Sequence, residues 1–146
     1  MISRETTFMS FDYGSRKIGI AVGQRITGTA SGIASVSVNG HQPPWSDIES
    51  LLIEWRPGAL VVGLPLDSEG DETVSSRAAR KFGEALGKRF DLPVYWVNEF
   101  LTSSAAQSQL KQTLSAGKKF SRRKQMNRDQ LAAELILRSH FEFQTT

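Results

Sequence analysis

The order of strand-like and helix-like segments is the feature that most constrains the fold of this chain. Residues 8–13 and 17–22 have the length and apolar content of β-strands, and the link Gly14-Ser15-Arg16 between them is short enough for a hairpin. A third strand is predicted over residues 33–38, just before the turn dipeptide Asn39-Gly40. Three strands in succession predict an antiparallel beginning to the sheet.

The segments that follow alternate helices with strands. Ser46 and Glu49 have the spacing of a capping box, which predicts the start of a helix that Pro57-Gly58 ends. Residues 59–62 form a continuous apolar run, as expected for a strand that is covered on both faces. Four more elements are predicted: a helix over 72–89, a strand over 93–97, a helix from Thr102 and a last helix from Asn127. Asn127 and Gln130 form the N-cap pair of the last helix. The helix over 72–89 is expected to bury Val74, Ala78, Phe82, Ala85 and Leu86.

This order predicts the fold class. Strands that alternate with helices pair in parallel through right-handed crossovers, whereas the first three strands are expected to be antiparallel. We therefore expect an α/β protein with a mixed five-stranded β-sheet, three antiparallel strands and then two parallel ones, flanked by α-helices. The length of 146 residues fits a single domain.

Basic charge is concentrated in one segment. Between Glu99 and Asp129 there are seven lysines and arginines and no acidic residue, while eleven basic and fifteen acidic residues lie elsewhere, a net charge of −4. Such a segment is typical of phosphate binding, so we expect the loop at about 115–126 to be a substrate-binding insertion. A solvated, mobile loop is the alternative.

Composition excludes several kinds of site. The chain has no cysteine and two histidines, which removes thiol nucleophiles, disulfides and multi-histidine metal cages. The longest apolar stretch, residues 59–66, is far shorter than the roughly 20 residues that span a bilayer. Residues 1–7 lack the apolar core of a signal peptide. We therefore expect a soluble, cytoplasmic protein without a membrane partner.

Three carboxylates lie at the ends of predicted elements. Asp12 ends the first strand, Glu99 follows the last strand, and Asp129 lies in the first turn of the last helix. Ligands of such sheets bind beyond the carboxyl ends of the strands, so the three acids are candidates for one site. Each acid also has a purely structural interpretation, as a turn residue, a surface acid or a helix-dipole contact.

The chemistry of three converging carboxylates favours a metal site. Such groups repel one another unless cations neutralise them, and ligand sets made only of oxygen suit Mg²⁺ or Mn²⁺. Two ions of this kind can clamp a phosphodiester and activate a water molecule. We therefore expect Mg²⁺ or Mn²⁺, two ions in number, at Asp12, Glu99 and Asp129.

The motifs around these acids resemble those of a known family. The first motif is Phe11-Asp12-Tyr13-Gly14 with the residues up to Gly23 and on to Ala30, and the second is Val61-Val62-Gly63-Leu64-Pro65-Leu66 with Gly70. The third is Glu99-x-Leu101-Thr102-Ser103, and the fourth is Asp129-x-x-Ala132-Ala133. In order and spacing, over nearly the whole chain, they resemble the YqgF (RuvX) family of RNase H-like nucleases.

The resemblance implies an RNase H-like fold and metal-assisted hydrolysis of phosphodiester bonds, with Asp12, Glu99 and Asp129 as the catalytic metal ligands. The role that it implies is 5′-end processing of the precursor of 16S ribosomal RNA, and Holliday-junction resolution is the alternative by fold analogy. The family's third motif usually reads Asp-Glu-Arg, whereas this chain has Asn98-Glu99-Phe100. Relative to this motif, Asn98 lacks an oxygen donor to the metal or to the groups around it, and Phe100 lacks either a phosphate contact or a partner for a site carboxylate.

Nucleic acid is the expected partner, bound by a monomer or a homodimer. Arg16 and Lys17 follow Asp12 at the hairpin, where phosphate contact and simple solvation are both reasonable. A nucleic-acid or ribosome-binding module without cleavage is an alternative, as is a piece of a sugar-kinase or actin-like ATPase. The predicted nucleic-acid-binding residues are Arg16, Lys17, Lys118, Lys119, Arg122, Arg123, Lys124 and Arg128.

Overall fold

A computed structural model describes residues 6–40, 42–99 and 128–143, and its strands form one mixed sheet. The strands are β1 (Thr7–Tyr13), β2 (Lys17–Gln24), β3 (Thr29–Ser37), β4 (Ala59–Leu64) and β5 (Val94–Asn98). Their order across the sheet is β3-β2-β1-β4-β5. The pairs β1–β2 and β2–β3 are antiparallel, whereas β1–β4 and β4–β5 are parallel. The predicted sheet of three antiparallel strands followed by two parallel ones is confirmed.

The described helices cover both faces of this sheet. They are α1 (Trp45–Trp55), α2 (Val74–Phe90) and α3 (Arg128–Phe143), of which α1 and α2 share one core with the sheet while α3 forms a second core on the opposite face. Every residue of β4 is buried, which agrees with its continuous apolar sequence. No helix in the described ranges is long and apolar enough to cross a membrane.

The capping box predicted at Ser46 and Glu49 is wrong. Helix α1 begins two residues earlier than that cap would give, at Trp45, with Pro44 in the cap position and no capping hydrogen bond from a side chain. The Trp45 ring stacks on Phe82 of α2, with 5.7 Å between ring centroids, so tertiary packing rather than a local cap fixes this end. At the other end α1 stops at Trp55, before Pro57-Gly58, as predicted.

The buried face of α2 differs from the predicted one. Thr73 caps the helix: its hydroxyl accepts the backbone N–H of Ser76, and the Ser76 hydroxyl accepts the backbone N–H of Thr73. Phe82 and Leu86 are buried as predicted, but Val74 is 77% exposed, and Ala78 and Ala85 are also exposed. Gly83 faces the sheet instead, where the ring of Trp96 occupies the space that a side chain at this position would need. The buried residues of α2 are Ser76, Ala79, Phe82, Gly83 and Leu86.

Two further differences concern the ends of elements. Strand β3 begins at Thr29, upstream of the predicted start at Ile33, and it ends at Ser37. The predicted helix from Thr102 and the N-cap at Asn127 lie outside the described residues. On α3, the residues Ala133, Ile136 and His140 share one face and are all buried.

Helix α3 approaches the sheet closely because glycines line its path. A methyl group at Gly19 of β2 would lie 1.8 Å from the backbone oxygen of Asp129, and one at Gly32 of β3 would lie 2.8 Å from the backbone oxygen of Gln130. The hydroxyl of Ser10, fully buried in β1, donates a hydrogen bond of 2.6 Å to the backbone carbonyl of Ala133. The first turn of α3, which carries Asp129, is therefore held directly against the strands.

The substitution Gly19→Ala is expected to lower the free energy of unfolding. The added methyl group would displace α3 from β2, and overpacking of this kind costs about 1–3 kcal/mol. Ser31→Ala, at an exposed position of β3, is the matched control. Denaturant unfolding measures both variants, and equal stabilities would mean that α3 does not rest on β2.

Candidate active site

The three candidate carboxylates come from one edge of the sheet and the helix packed against it. Asp12 lies one residue before the end of β1, Glu99 directly follows β5, and Asp129 is in the first turn of α3. Because β1, β4 and β5 run parallel, the carboxyl ends of β1 and β5 meet at the same edge. Asp129 reaches that edge because its backbone packs on Gly19, the residue paired with Asp12.

Gly63 of β4 makes room for the side chain of Glu99. A methyl group at position 63 would lie 2.7 Å from the Glu99 carboxyl carbon and 2.8 Å from its Oε2 atom. In the structure, the strand between the two acid-bearing strands carries no side chain at this point, so Glu99 folds over it toward Asp12.

The carboxylates interact electrostatically in a chain. Burial raises the pKa of Glu99 to about 8, and the charge of Asp12 adds to that shift. Burial likewise raises the pKa of Asp12 to about 6, with a further contribution from Asp129. Glu99 therefore interacts with Asp12, and Asp12 with Asp129, so Asp12 is the middle member of the group.

The donor set fits a hard divalent cation. Oxygen ligands suit Mg²⁺ and Mn²⁺. A cation at this edge would offset the repulsion between the carboxylates, which water screens poorly because Asp12 and Glu99 are largely buried. Among residues 6–40, 42–99 and 128–143, however, no three Asp, Glu, His or Cys side chains converge closely enough to hold one ion together. The three acids therefore share an electrostatic environment without forming a closed cage.

Ser35 of β3 contacts the site and was missed by the sequence analysis. Its hydroxyl donates a hydrogen bond of 3.3 Å to Oδ2 of Asp129. The two residues are 94 positions apart in the sequence, and a serine in an alternating strand carries no signal of such a contact. Ser35 orients the carboxylate of Asp129 from the side of the sheet.

The predicted nucleic-acid-binding residues divide into two groups. Arg16 and Lys17 are exposed at the β1–β2 turn, and Arg128 is exposed at the start of α3 beside Asp129, so these three cations lie near the carboxylates in the fold. Asn98 is exposed at the end of β5. The other basic residues, Lys118, Lys119, Arg122, Arg123 and Lys124, and also Phe100, lie outside the described residues.

The stability gained by Glu99→Gln is expected to depend on pH. In the metal-free native protein Glu99 keeps its proton up to a pKa of about 8, whereas the unfolded chain releases it near 4.5. The native state therefore binds more protons between these values, and its stability falls as the pH rises through this window. A glutamine carries no such penalty, so Glu99→Gln is expected to gain on the order of 4 kcal/mol over wild type at pH 8 relative to pH 4.

Denaturant unfolding at pH 4, 6 and 8 in the presence of a chelator measures this difference. Glu54→Gln, an exposed acid of α1, is the matched control. A difference between wild type and Glu99→Gln that stays constant with pH would contradict the elevated pKa.

Comparison with known proteins places this geometry in a family. A family model described as "RuvX: Holliday junction resolvase" matches residues 6–143. Two similar proteins carry the name "Putative pre-16S rRNA nuclease". The one from Actinobacillus succinogenes is 41% identical over 141 residues, which cover 93% of this chain and 94% of the relative. The one from Aeromonas salmonicida is 46% identical over 104 residues, which cover 71% of this chain and 74% of the relative.

Solved structures share the fold at low sequence identity. RuvC of T. thermophilus, solved with a Holliday junction substrate, has a TM-score of 0.59 and 17% identity, and the match covers 97% of this chain and 96% of that one. The Fowlpox virus resolvase, solved with Holliday junction DNA, has a TM-score of 0.62 and 12% identity over 96% of this chain and 99% of that one. These likenesses confirm the predicted RNase H-like fold. The family model over residues 6–143 and the relatives of 41% and 46% identity establish that the chain belongs to the RuvX family.

Proposed function

We propose that this protein is a metal-dependent nuclease that hydrolyses phosphodiester bonds in nucleic acid, and that its reaction is 5′-end processing of pre-16S ribosomal RNA. The observation that carries the proposal is the electrostatically linked row of Glu99, Asp12 and Asp129 at the carboxyl edge of the sheet. The substrate is inferred from the relatives named as pre-16S rRNA nucleases.

The chain's own residues divide the work. Asp12, Glu99 and Asp129 are the groups that would hold one or two Mg²⁺ or Mn²⁺ ions, which when bound would polarise the scissile phosphate and activate a water molecule. Ser35 fixes the orientation of Asp129. Glu99 holds a proton in the metal-free state, which keeps two neighbouring carboxyls from repelling each other.

Positive charge around this edge would bind the substrate backbone. Arg16, Lys17 and Arg128 are exposed near the acids, and the basic segment precedes Asp129 in the chain. Lysine and arginine contacts to phosphates give affinity without reading sequence. The specificity for one RNA would then come from its folded shape and its unpaired residues.

The substitution Asp12→Asn is expected to lower the cleavage rate by at least about 100-fold, since it removes the middle carboxylate and the metal contributes several kcal/mol to such reactions. Gel assays of precursor 16S rRNA with Mg²⁺ and with Mn²⁺ measure the rate. Asp47→Asn, an exposed acid in the first turn of α1, is the matched control and is expected to cleave like wild type. Equal rates for Asp12→Asn and wild type with both metals would overturn the proposal.

Holliday-junction resolution is the second candidate, favoured by the description of the matching family model. The same assay on a four-way DNA junction separates the two candidates. Symmetric cleavage of the junction, at rates that exceed those on precursor rRNA and that depend on Asp12, would favour resolution. A binding module without cleavage would retain affinity for either substrate but produce no Asp12-dependent product.

The basic segment is expected to govern the salt dependence of binding. Changing Lys118, Lys119, Arg122, Arg123 and Lys124 to glutamine is expected to reduce the slope of log K against log salt by roughly 1–4, since each phosphate contact adds about 0.7–0.9. Filter binding between 50 and 200 mM salt measures the slope, with Lys88→Gln on α2 as a control. An unchanged slope would mean that this segment does not contact the backbone.

A further inference from the structure

A cleft of about 400 Å³ opens at the end of β1, on the face of the sheet that α1 and α2 cover. Tyr13, Trp45, Phe82 and Lys81 line it, together with the loop before α1 at Pro43. Its volume lies within the usual range for small-ligand pockets. The cleft does not include any of the three carboxylates.

Two aromatic rings in this cleft stack on the ring of Phe82. The Tyr13 ring lies 4.8 Å from the Phe82 ring with an angle of 28° between planes, and the Trp45 ring lies 5.7 Å from it with an angle of 10°. Phe82 is 3% exposed and belongs to the core, whereas Tyr13 and Trp45 are only partly buried. The cleft therefore presents stacking surfaces backed by a rigid core.

The charge at this cleft is positive. The exposed Lys81 lies on its lining, and the guanidinium of Arg89 lies 4.9 Å from the centre of the Trp45 ring. Among the described residues that line the cleft there is no aspartate or glutamate. Aromatic faces beside cations are the combination with which proteins bind unpaired nucleotides.

The cleft adjoins the carboxylates through the backbone of β1. Tyr13 directly follows Asp12, and successive side chains of a strand point to opposite faces of the sheet. Asp12 therefore faces α3 while Tyr13 faces α2, at the same sheet edge. A nucleic-acid strand that crosses this edge can reach both, and Arg16 and Lys17 lie at the turn just beyond.

We propose that this cleft binds an unpaired nucleobase of the substrate strand, close to the nucleotide whose phosphate is cleaved. Trp45 stacks on the base, Tyr13 lies at the side of the cleft, and Lys81 binds the phosphate beside the base. This inference rests on the proposed nuclease function, since it assigns the cleft to the same substrate. It predicts that cleavage is directed to positions next to an unpaired residue.

The test uses binding of a single-stranded RNA oligonucleotide to protein that carries Asp12→Asn, which prevents cleavage. Adding Trp45→Leu and Lys81→Gln is expected to raise the Kd roughly 5- to 100-fold, which is the range for losing one stacked base. The matched control carries Trp55→Leu and Lys88→Gln, the same chemical changes at exposed positions outside the cleft. Lys81→Gln alone, a surface change that leaves the core intact, is expected to give part of the loss.

Oligonucleotides with one abasic position identify the base. The parent Asp12→Asn protein is expected to lose affinity at one abasic position, and the cleft variant is expected to lose no more at that position than elsewhere. Equal Kd values for the cleft variant and its control, or no sensitive position in the parent, would overturn the inference.

Failure of the inference is distinguishable from failure of the nuclease proposal. If Asp12-dependent cleavage occurs but the cleft variant, with Asp12 intact, cleaves with unchanged kcat/KM, the cleft is not a base site and the nuclease stands. If base-dependent binding is lost in the cleft variant while no metal supports cleavage, the cleft binds bases and the nuclease proposal fails.

Discussion

The site depends on the packing of α3 against the antiparallel strands β1, β2 and β3. The buried Ser10 hydroxyl donates to the carbonyl of Ala133, and a buried hydroxyl left without a partner would cost about 1–3 kcal/mol. Gly19 and Gly32 leave no side chain between the strands and the first turn of the helix. Because that turn carries Asp129, the same contacts that hold the helix also fix one of the three acids.

The carboxylate edge is a local source of instability that the two cores offset. Burial places Asp12 and Glu99 where their charged forms are disfavoured; the charge of Asp12 further opposes the ionisation of Glu99, and that of Asp129 opposes the ionisation of Asp12. Both faces of the sheet bury continuous apolar clusters, so the fold can retain an unfavourable group of acids. Neither apolar cluster includes Asp12 or Glu99, so the two cores are spatially distinct from the acids.

The sequence predicted those parts of the structure whose signals are local. The apolar run of β4, the Gly14-Ser15-Arg16 hairpin and the end of α1 before Pro57-Gly58 are set by neighbouring residues, and the candidate acids were found at the ends of predicted elements. The predictions were wrong where tertiary contacts set the structure. Helix α1 starts at Trp45, whose ring stacks on Phe82, and α2 places Gly83 against the ring of Trp96. The contact from Ser35 to Asp129 joins distant segments and leaves no local trace.

The position of α3 along the chain has a consequence for synthesis. It is the latest described element, yet it packs on β1, β2 and β3, which are the earliest. Until residues 131–141 leave the ribosome, the face of the sheet that carries Phe8 and Val61 has no partner, and chains that expose such surface are prone to aggregate. The second core can therefore form only after α3 has emerged, and the same step brings Asp129 to the other two acids.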